Sequence, residues 1–342
     1  MYVWLAFVSL LLCLLALDLG VFHRTSRVVT AREGFAWSLV WMTVASGFAF
    51  VVFSAYEYNW SGLGLTPDPV ERTALHPQGV VNDGANAVIK YLTGYVVELS
   101  LSVDNMFVIA MLFRFFAVPA ALRHRVLFWG ILGALAMRGV MIVLGTHLIG
   151  RFDWMLPVFG IFLLATGVKM LYLDTNAPEP GQQWIVRLIR RWFPLTPVYH
   201  GDRFVVRNAA GTLMLTPLAV ALVLVEATDL LFAVDSIPAI LAVTADPFLV
   251  FASNAFAILG LRSLYFGLAG ALEAFHYLKY SLAVVLMLIG VKMLAHGWLR
   301  GVLGEHFHLY ILGAVVLILA AGVGASLVRP QAPHAAPRTE LQ

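Results

Sequence analysis

Charge is scarce in this 342-residue chain: Asp, Glu, Lys and Arg together make up 12% of it. A soluble domain carries about twice that share. Cysteine is scarcer still. Cys13 stands alone, so no intrachain disulfide framework exists. The chain also lacks His-Glu-x-x-His, a phosphate-cradling glycine loop and Gly-x-Ser-x-Gly, and with them the enzyme signatures of metalloproteases, nucleotide hydrolases and serine esterases. Apolar side chains fill the space: 61% of residues are hydrophobic and the mean hydropathy is +0.86. One core cannot bury that much apolar surface, so lipid must cover much of it. A soluble enzyme, a secreted disulfide scaffold and a disordered protein are excluded. The net charge of +3 reflects loop arginines in such a protein rather than nucleic-acid binding.

A spanning helix needs about 20 apolar residues. Nine runs qualify, at 2–22, 36–56, 88–113, 126–149, 154–174, 212–235, 247–269, 277–296 and 307–327. The expected fold is therefore all-α, a polytopic membrane protein with one transmembrane domain over 1–328 and a disordered tail at 329–342. The first run has no basic residue before it and reads as a retained helix. Basic residues set the orientation. Arg24, Arg27, Arg32, Arg114, Arg123, Arg125, Arg187, Arg190, Arg191, Arg203 and Arg207 fall in loops on one side; Arg72, Lys90, Arg151 and Arg300 fall on the other. The first side should be cytoplasmic, which puts the N-terminus outside and the C-terminus inside. The long segment 57–87 then lies outside, and the polar segment 175–211 inside. In the latter, apolar pairs alternate with arginines at helical spacing around 184–193, the pattern of a helix lying on the membrane surface.

The chain repeats itself. Glu98-Leu-Ser-Leu-Ser-Val-Asp104-Asn105 in the third run matches Asp229-Leu-Leu-Phe-Ala-Val-Asp235-Ser236 in the sixth. Arg138 and Arg262 follow inside the next runs, and Gly167-Val-Lys-Met-Leu and Gly290-Val-Lys-Met-Leu inside the ones after. Spans 3–5 (repeat A, 88–174) and 6–8 (repeat B, 212–296) read as two copies of a three-helix unit. Three is odd, so the second copy enters from the opposite face, as in the inverted repeats of secondary transporters. Pro238, just after Asp235-Ser236, predicts a break in the sixth span.

Five acids sit inside these spans: Glu98, Asp104, Glu226, Asp229 and Asp235. Each costs about 2.5–3.5 kcal/mol at a helix centre, and no structural need demands it, so they mark an ion path or proton relay. Glu98, Ser102 and Asn105 share one helix face; Glu226, Asp229 and Ser236 share another. Together they supply carboxylate, amide and hydroxyl oxygens, which suit hard divalent cations. With no thiolate or paired histidine nearby, Mn²⁺, Mg²⁺ and Ca²⁺ remain, and Met106 adds one soft donor. The candidate metal set is Asp104, Asp235, Glu98, Glu226, Asp229, Asn105 and Ser236, with no permanently bound cofactor. The plainer alternative is that Glu98, Glu226 and Asp229 pair with Arg138 or Arg262 as structural counter-ions. Lys169 and Lys292 read as snorkelling side chains, the helix-end histidines as interfacial, and Asp18 as a cap, an ion-pair partner or an entry group. The paired aspartates lack the Gly-Asp context of an intramembrane protease.

These segments, Val97-Glu98 to Asn105 and Val225-Glu226-Ala-Thr-Asp229 through Asp235-Ser236-Ile-Pro238, resemble the two signature segments of the TerC family. The Asp18-Leu-Gly-Val-Phe-His-Arg24 stretch and the Gly-Val-Lys-Met-Leu pair are similar to it as well. The resemblance covers roughly 1–328. It implies a multi-pass protein of the bacterial inner membrane, Mn²⁺ efflux, and a phenotype of tellurium resistance; the membrane acids carry over to the five positions above. The expected function is Mn²⁺ export, coupled to protons because protons and metal compete for the same oxygens. The alternative is a non-transporting factor for membrane-protein insertion or tellurite stress, docking partners through 175–211.

Overall fold

The computed structural model describes residues 2–22, 30–72, 76–152, 154–172, 187, 189, 191–208, 211–268, 277–304 and 307–328. The α-helices whose bounds lie in the described residues are α1 Tyr2–Phe22, α2 Ala31–Glu57, α3 Gly84–Phe115, α4 Ala120–Arg151, α5 Met155–Tyr172, α6 Pro217–Leu241, α7 Pro247–Leu268, α8 Leu278–Leu294, α9 His296–Leu303 and α10 Phe307–Val328. Two antiparallel hairpins sit in the connections. Pro67–Asp68 (β1) pairs Val80–Val81 (β2), and Val205–Arg207 (β3) pairs Leu213–Leu215 (β4).

Polar residues set the helix ends. Thr30 and Glu33 form a capping box on α2, Asp83 accepts from Asn86 N at 2.7 Å at the start of α3, and Thr216 caps α6 with Pro217 in the first turn. Side-chain acceptors supply what the first-turn amides lack. Within the apolar helices, Ser38, Thr93, Ser100 and Thr228 return their hydroxyls to carbonyls four residues back, so a hydroxyl costs little in lipid. The caps also explain why several helices outrun their apolar runs. The sixth starts later than expected, because 213–215 forms β4 before Thr216-Pro217 starts the helix.

Among the described residues, seven helices are long and apolar enough to cross a membrane, and eight if α8 and α9 form one bent span. The first expected span, α1, is helical, but its described apolar stretch Tyr2–Asp18 is shorter. The expected break at Pro238 is absent: α6 runs through it to Leu241. The proline takes the donor from the Val234 carbonyl, and the helix continues one turn beyond it. The bend falls instead between α8 and α9, at 87°. The surface helix expected at 184–193 lies mostly outside the described residues, as does the tail.

α3 packs on both α6 and α7, α4 on α6 and α7, and α5 on α8. α2 lies against α3 and α7, and α10 against α3 and α8. α3 and α6 run antiparallel, and α3 and α7 run in the same direction. Lys90 near the start of α3 meets Asp68, which also binds Thr244 and Ala245 just past the end of α6. At the other end, Phe113 and Val118 pack with Leu218 at the start of α6 and with Tyr265 late in α7. α5 and α8 cross closely through small residues. A Cβ on Gly167 would lie 2.8 Å from Ala283 O, and one on Gly290 2.9 Å from Gly160 O. Those contacts are reciprocal, since Gly160 and Ala283 each stand seven residues before the repeated Gly167 and Gly290.

Candidate functional site

The centre of the bundle is a buried polar layer around one arginine. Arg138 on α4 is 2% exposed. Its guanidinium donates to Glu98 Oε1 on α3. It reaches Asp229 on α6 twice, Nη2 to Oδ1 at 3.0 Å and Nε to Oδ2 at 3.3 Å. It also donates to Asn254 Oδ1 on α7 at 3.1 Å and to Ser236 Oγ at 3.4 Å. Asn105 donates to Asp229 Oδ1 at 2.8 Å, and Ser102 to Glu98 Oε1 at 3.1 Å. Helix geometry makes this possible: Glu98, Ser102 and Asn105 stand on one face of α3, as do Asp229 and Ser236 on α6.

The layer is not saturated. Glu98 Oε2, Asn105 Oδ1 and Glu226 Oε2 are buried with no hydrogen-bond partner among the described residues. A buried oxygen without a donor is costly, and three of them lie on these two acid-bearing helices.

The seven candidate ligands therefore divide. Glu98, Asn105, Asp229 and Ser236 come together around Arg138. Glu226, one turn before Asp229, lies instead against Gly133 of α4, where an added Cβ would come within 2.1 Å of its carboxylate. Asp235 is half-buried and accepts from Thr166 on α5 at 3.5 Å, apart from the central layer. Asp104 lies on α3, but its side chain is outside the described residues. Among the described residues no three His, Cys, Asp or Glu side chains are gathered to hold a metal ion. The physical reason is Arg138, which stands where a shared cation of Glu98 and Asp229 would stand. The counter-ion pairing weighed from the sequence is thus what the structure holds for these two acids. Arg262 goes elsewhere, to Asp18 at 2.5 Å.

Sequence reasoning missed Asn254, a lone amide in an apolar run with no repeat partner to flag it. It also missed a second ionic cluster at the end of the bundle where α3 begins. There Asp68 and Glu71 flank a 3₁₀ turn (Pro69–Glu71). Lys90 binds Asp68 at 3.0 Å, Glu71 at 3.1 Å and Asn82 Oδ1 at 2.6 Å. His308 on α10 meets Glu71 at 2.7 Å. Burial opposes ionisation of Glu71, but the hydrogen bond from His308 and the charge of Lys90 hold its carboxyl well below the usual range. Asp68 is likewise held low against its burial by Lys90 and its hydrogen bonds from Thr244 and Ala245. Lys292, expected to snorkel, is instead buried and donates to Ala242 O at 2.6 Å. Beside it opens a cleft of about 370 Å³ lined by Val70, Arg72, Leu156, Lys292 and His296 among others.

Comparison with known proteins agrees with this architecture. Residues 83–333 match the model of the integral membrane protein TerC family. The membrane protein STKORF319 of Myxococcus xanthus is 46% identical over 291 residues, 85% of this chain and 82% of its own. Alx of Escherichia coli (strain K12), named as a proposed membrane-bound redox modulator, is 46% identical over 292 residues, 85% of each chain. A membrane protein of Rickettsia bellii (strain RML369-C) is 38% identical over 328 residues, 95% of this chain and 97% of its own. No solved structure matches.

Proposed function

The chain belongs to the TerC family of integral membrane proteins, and from that premise we propose that it exports a divalent cation, Mn²⁺ before Mg²⁺ or Ca²⁺, from the cytoplasm in exchange for protons. The observation that carries the reading is the central layer. Glu98, Asn105, Asp229 and Ser236 converge from two antiparallel helices, and oxygens of Glu98 and Asn105 have no partner among the described residues. A layer built only for stability would close its hydrogen bonds. Oxygens of this type and number match a hard cation.

The membrane is the bacterial inner membrane, with the N-terminus outside and the C-terminus in the cytoplasm. The Lys90 cluster then lies at the outer end and the β3–β4 hairpin at the inner. The two three-helix units act as an inverted repeat; the antiparallel packing of α3 on α6 and the reciprocal α5–α8 contacts support this. Asp104 and Asp235 each stand one residue before a member of the layer, Asn105 and Ser236, and are the further acids of the proposed path. The redox role proposed for Alx finds no dithiol here, since Cys13 is alone. Tellurium resistance is a consequence for the cell rather than the cargo, because tellurite is an anion and this layer is acidic.

Growth tests the reading. Expression in a Mn²⁺-sensitive bacterium should protect against added Mn²⁺ and not against Mg²⁺, Ca²⁺ or Zn²⁺, and Asp104→Asn and Asp235→Asn should each lose that protection. Protection that survives in both variants, or that is lost only on deleting 175–211, would favour an assembly factor instead.

A further inference from the structure

The central arginine poses a question that export alone does not answer: a cation path should not hold a fixed cation. We propose that Arg138 is a tethered counter-cation, which occupies the ion site when it is empty and withdraws when metal binds. The inference rests on the export reading above.

The geometry leads to it directly. The guanidinium touches Glu98, both oxygens of Asp229, Ser236 and Asn254. A hard cation would need the same carboxylate oxygens. Two carboxylates balance one divalent cation and leave no negative charge for a guanidinium beside it. Metal and Arg138 therefore occupy the layer in turn. The alternative, an empty layer with two bare buried carboxylates, is costly in a low-dielectric interior. A tethered cation offsets one of the two charges on the return leg, and the proton taken in exchange offsets the other.

The contacts also join the two units. Glu98 belongs to the first, while Asp229, Ser236 and Asn254 belong to the second. The guanidinium thus ties α3 to α6 and α7 only while metal is absent, so its release is linked to the relative position of the units. The matching arginine does not duplicate this role. Arg262 is engaged with Asp18 on α1, through both the carboxylate and the backbone carbonyl. One arginine for one ion site is what an exchange partner requires.

A tethered competitor makes an unusual prediction, that removing it tightens binding. Purified full-length protein in detergent is titrated with MnCl₂, and free Mn²⁺ is read by electron paramagnetic resonance. Arg138→Gln should bind Mn²⁺ at least ten-fold tighter than the parent chain. Arg138→Lys should show a smaller gain, since an ammonium keeps the charge but cannot span both carboxylates. Gel filtration identifies the folded variants, and if the Gln variant does not fold, the Lys variant decides by the same measurement. Weaker or equal binding in a folded variant, with Mn²⁺ binding intact in the parent, overturns the proposal and leaves the export reading standing. No Mn²⁺ binding by the parent or by any variant overturns both.

Discussion

Two buried ionic clusters lie at different depths of one bundle, and they are finished differently. At the end where α3 begins, Asp68 accepts from Lys90, Thr244, Ala245 and Val70, and Glu71 is held by Lys90 and His308. At the centre, Glu98 and Asn105 each keep an oxygen unbonded among the described residues. The outer cluster is a lock that joins the 67–72 segment to α3, α10 and the α6–α7 connection. The centre holds its charge in a form that can be exchanged. Burial alone does not separate the two kinds of cluster: Asp68 and Glu71 are bound from several elements, whereas Glu98 and Asp229 share one guanidinium.

The comparison predicts opposite outcomes for equivalent damage. The largest effect should come from Asp68→Ala, which leaves Lys90 buried with half its counter-charge. Breaking such a buried pair costs about 3–5 kcal/mol, so folded protein recovered by gel filtration should fall severely, and whatever folds should keep its transport rate per molecule. Glu98→Gln should do the reverse, lowering Mn²⁺ transport at least ten-fold while Arg138 keeps Asp229 and the thermal unfolding temperature moves only slightly. If both variants lost stability and activity in parallel, the distinction would collapse.

Gly133→Ala sharpens the role of Glu226. The new methyl would strike its carboxylate, so the side chain must turn away. Transport should fall several-fold if Glu226 feeds the central layer, and should stay unchanged if it does not. The smallest effect concerns pH. The carboxyls of Asp68 and Glu71 are depressed in the folded chain. Their contribution is fully present above the unfolded carboxylate pKa of about 4 and is lost as pH falls through the lower folded values. Thermal stability in detergent should therefore drop below about pH 4, and Glu71→Gln should flatten that drop.

Much of the centre was legible because lipid is a strict solvent. An acid in an apolar run stands out, and helical spacing put Glu98 with Asn105 and Asp229 with Ser236. Arg138 was readable as their counter-ion for the same reason. The outer cluster was not legible, because Asp68 and Glu71 lie in a polar segment where acids are ordinary. Lys90 and Lys292 sit near helix ends, where a lysine is expected to reach for water; only the packing of 67–72 back onto the bundle buries them. Pro238 misled because the loss of one backbone donor does not by itself end a helix. Glu226 shares a helix face with Asp229, and Asp235 stands about 100° round from Ser236; neighbouring helices decide where those faces point, and α4 and α5 claim these two.

The most direct test of the central claim is the flux of radiolabelled Mn²⁺ through purified protein in proteoliposomes, with a pH difference imposed across the membrane. The account predicts Mn²⁺ movement that follows the proton gradient and falls at least ten-fold in Asp229→Asn. Flux equal to that of protein-free liposomes, or undiminished flux in Asp229→Asn, would contradict it.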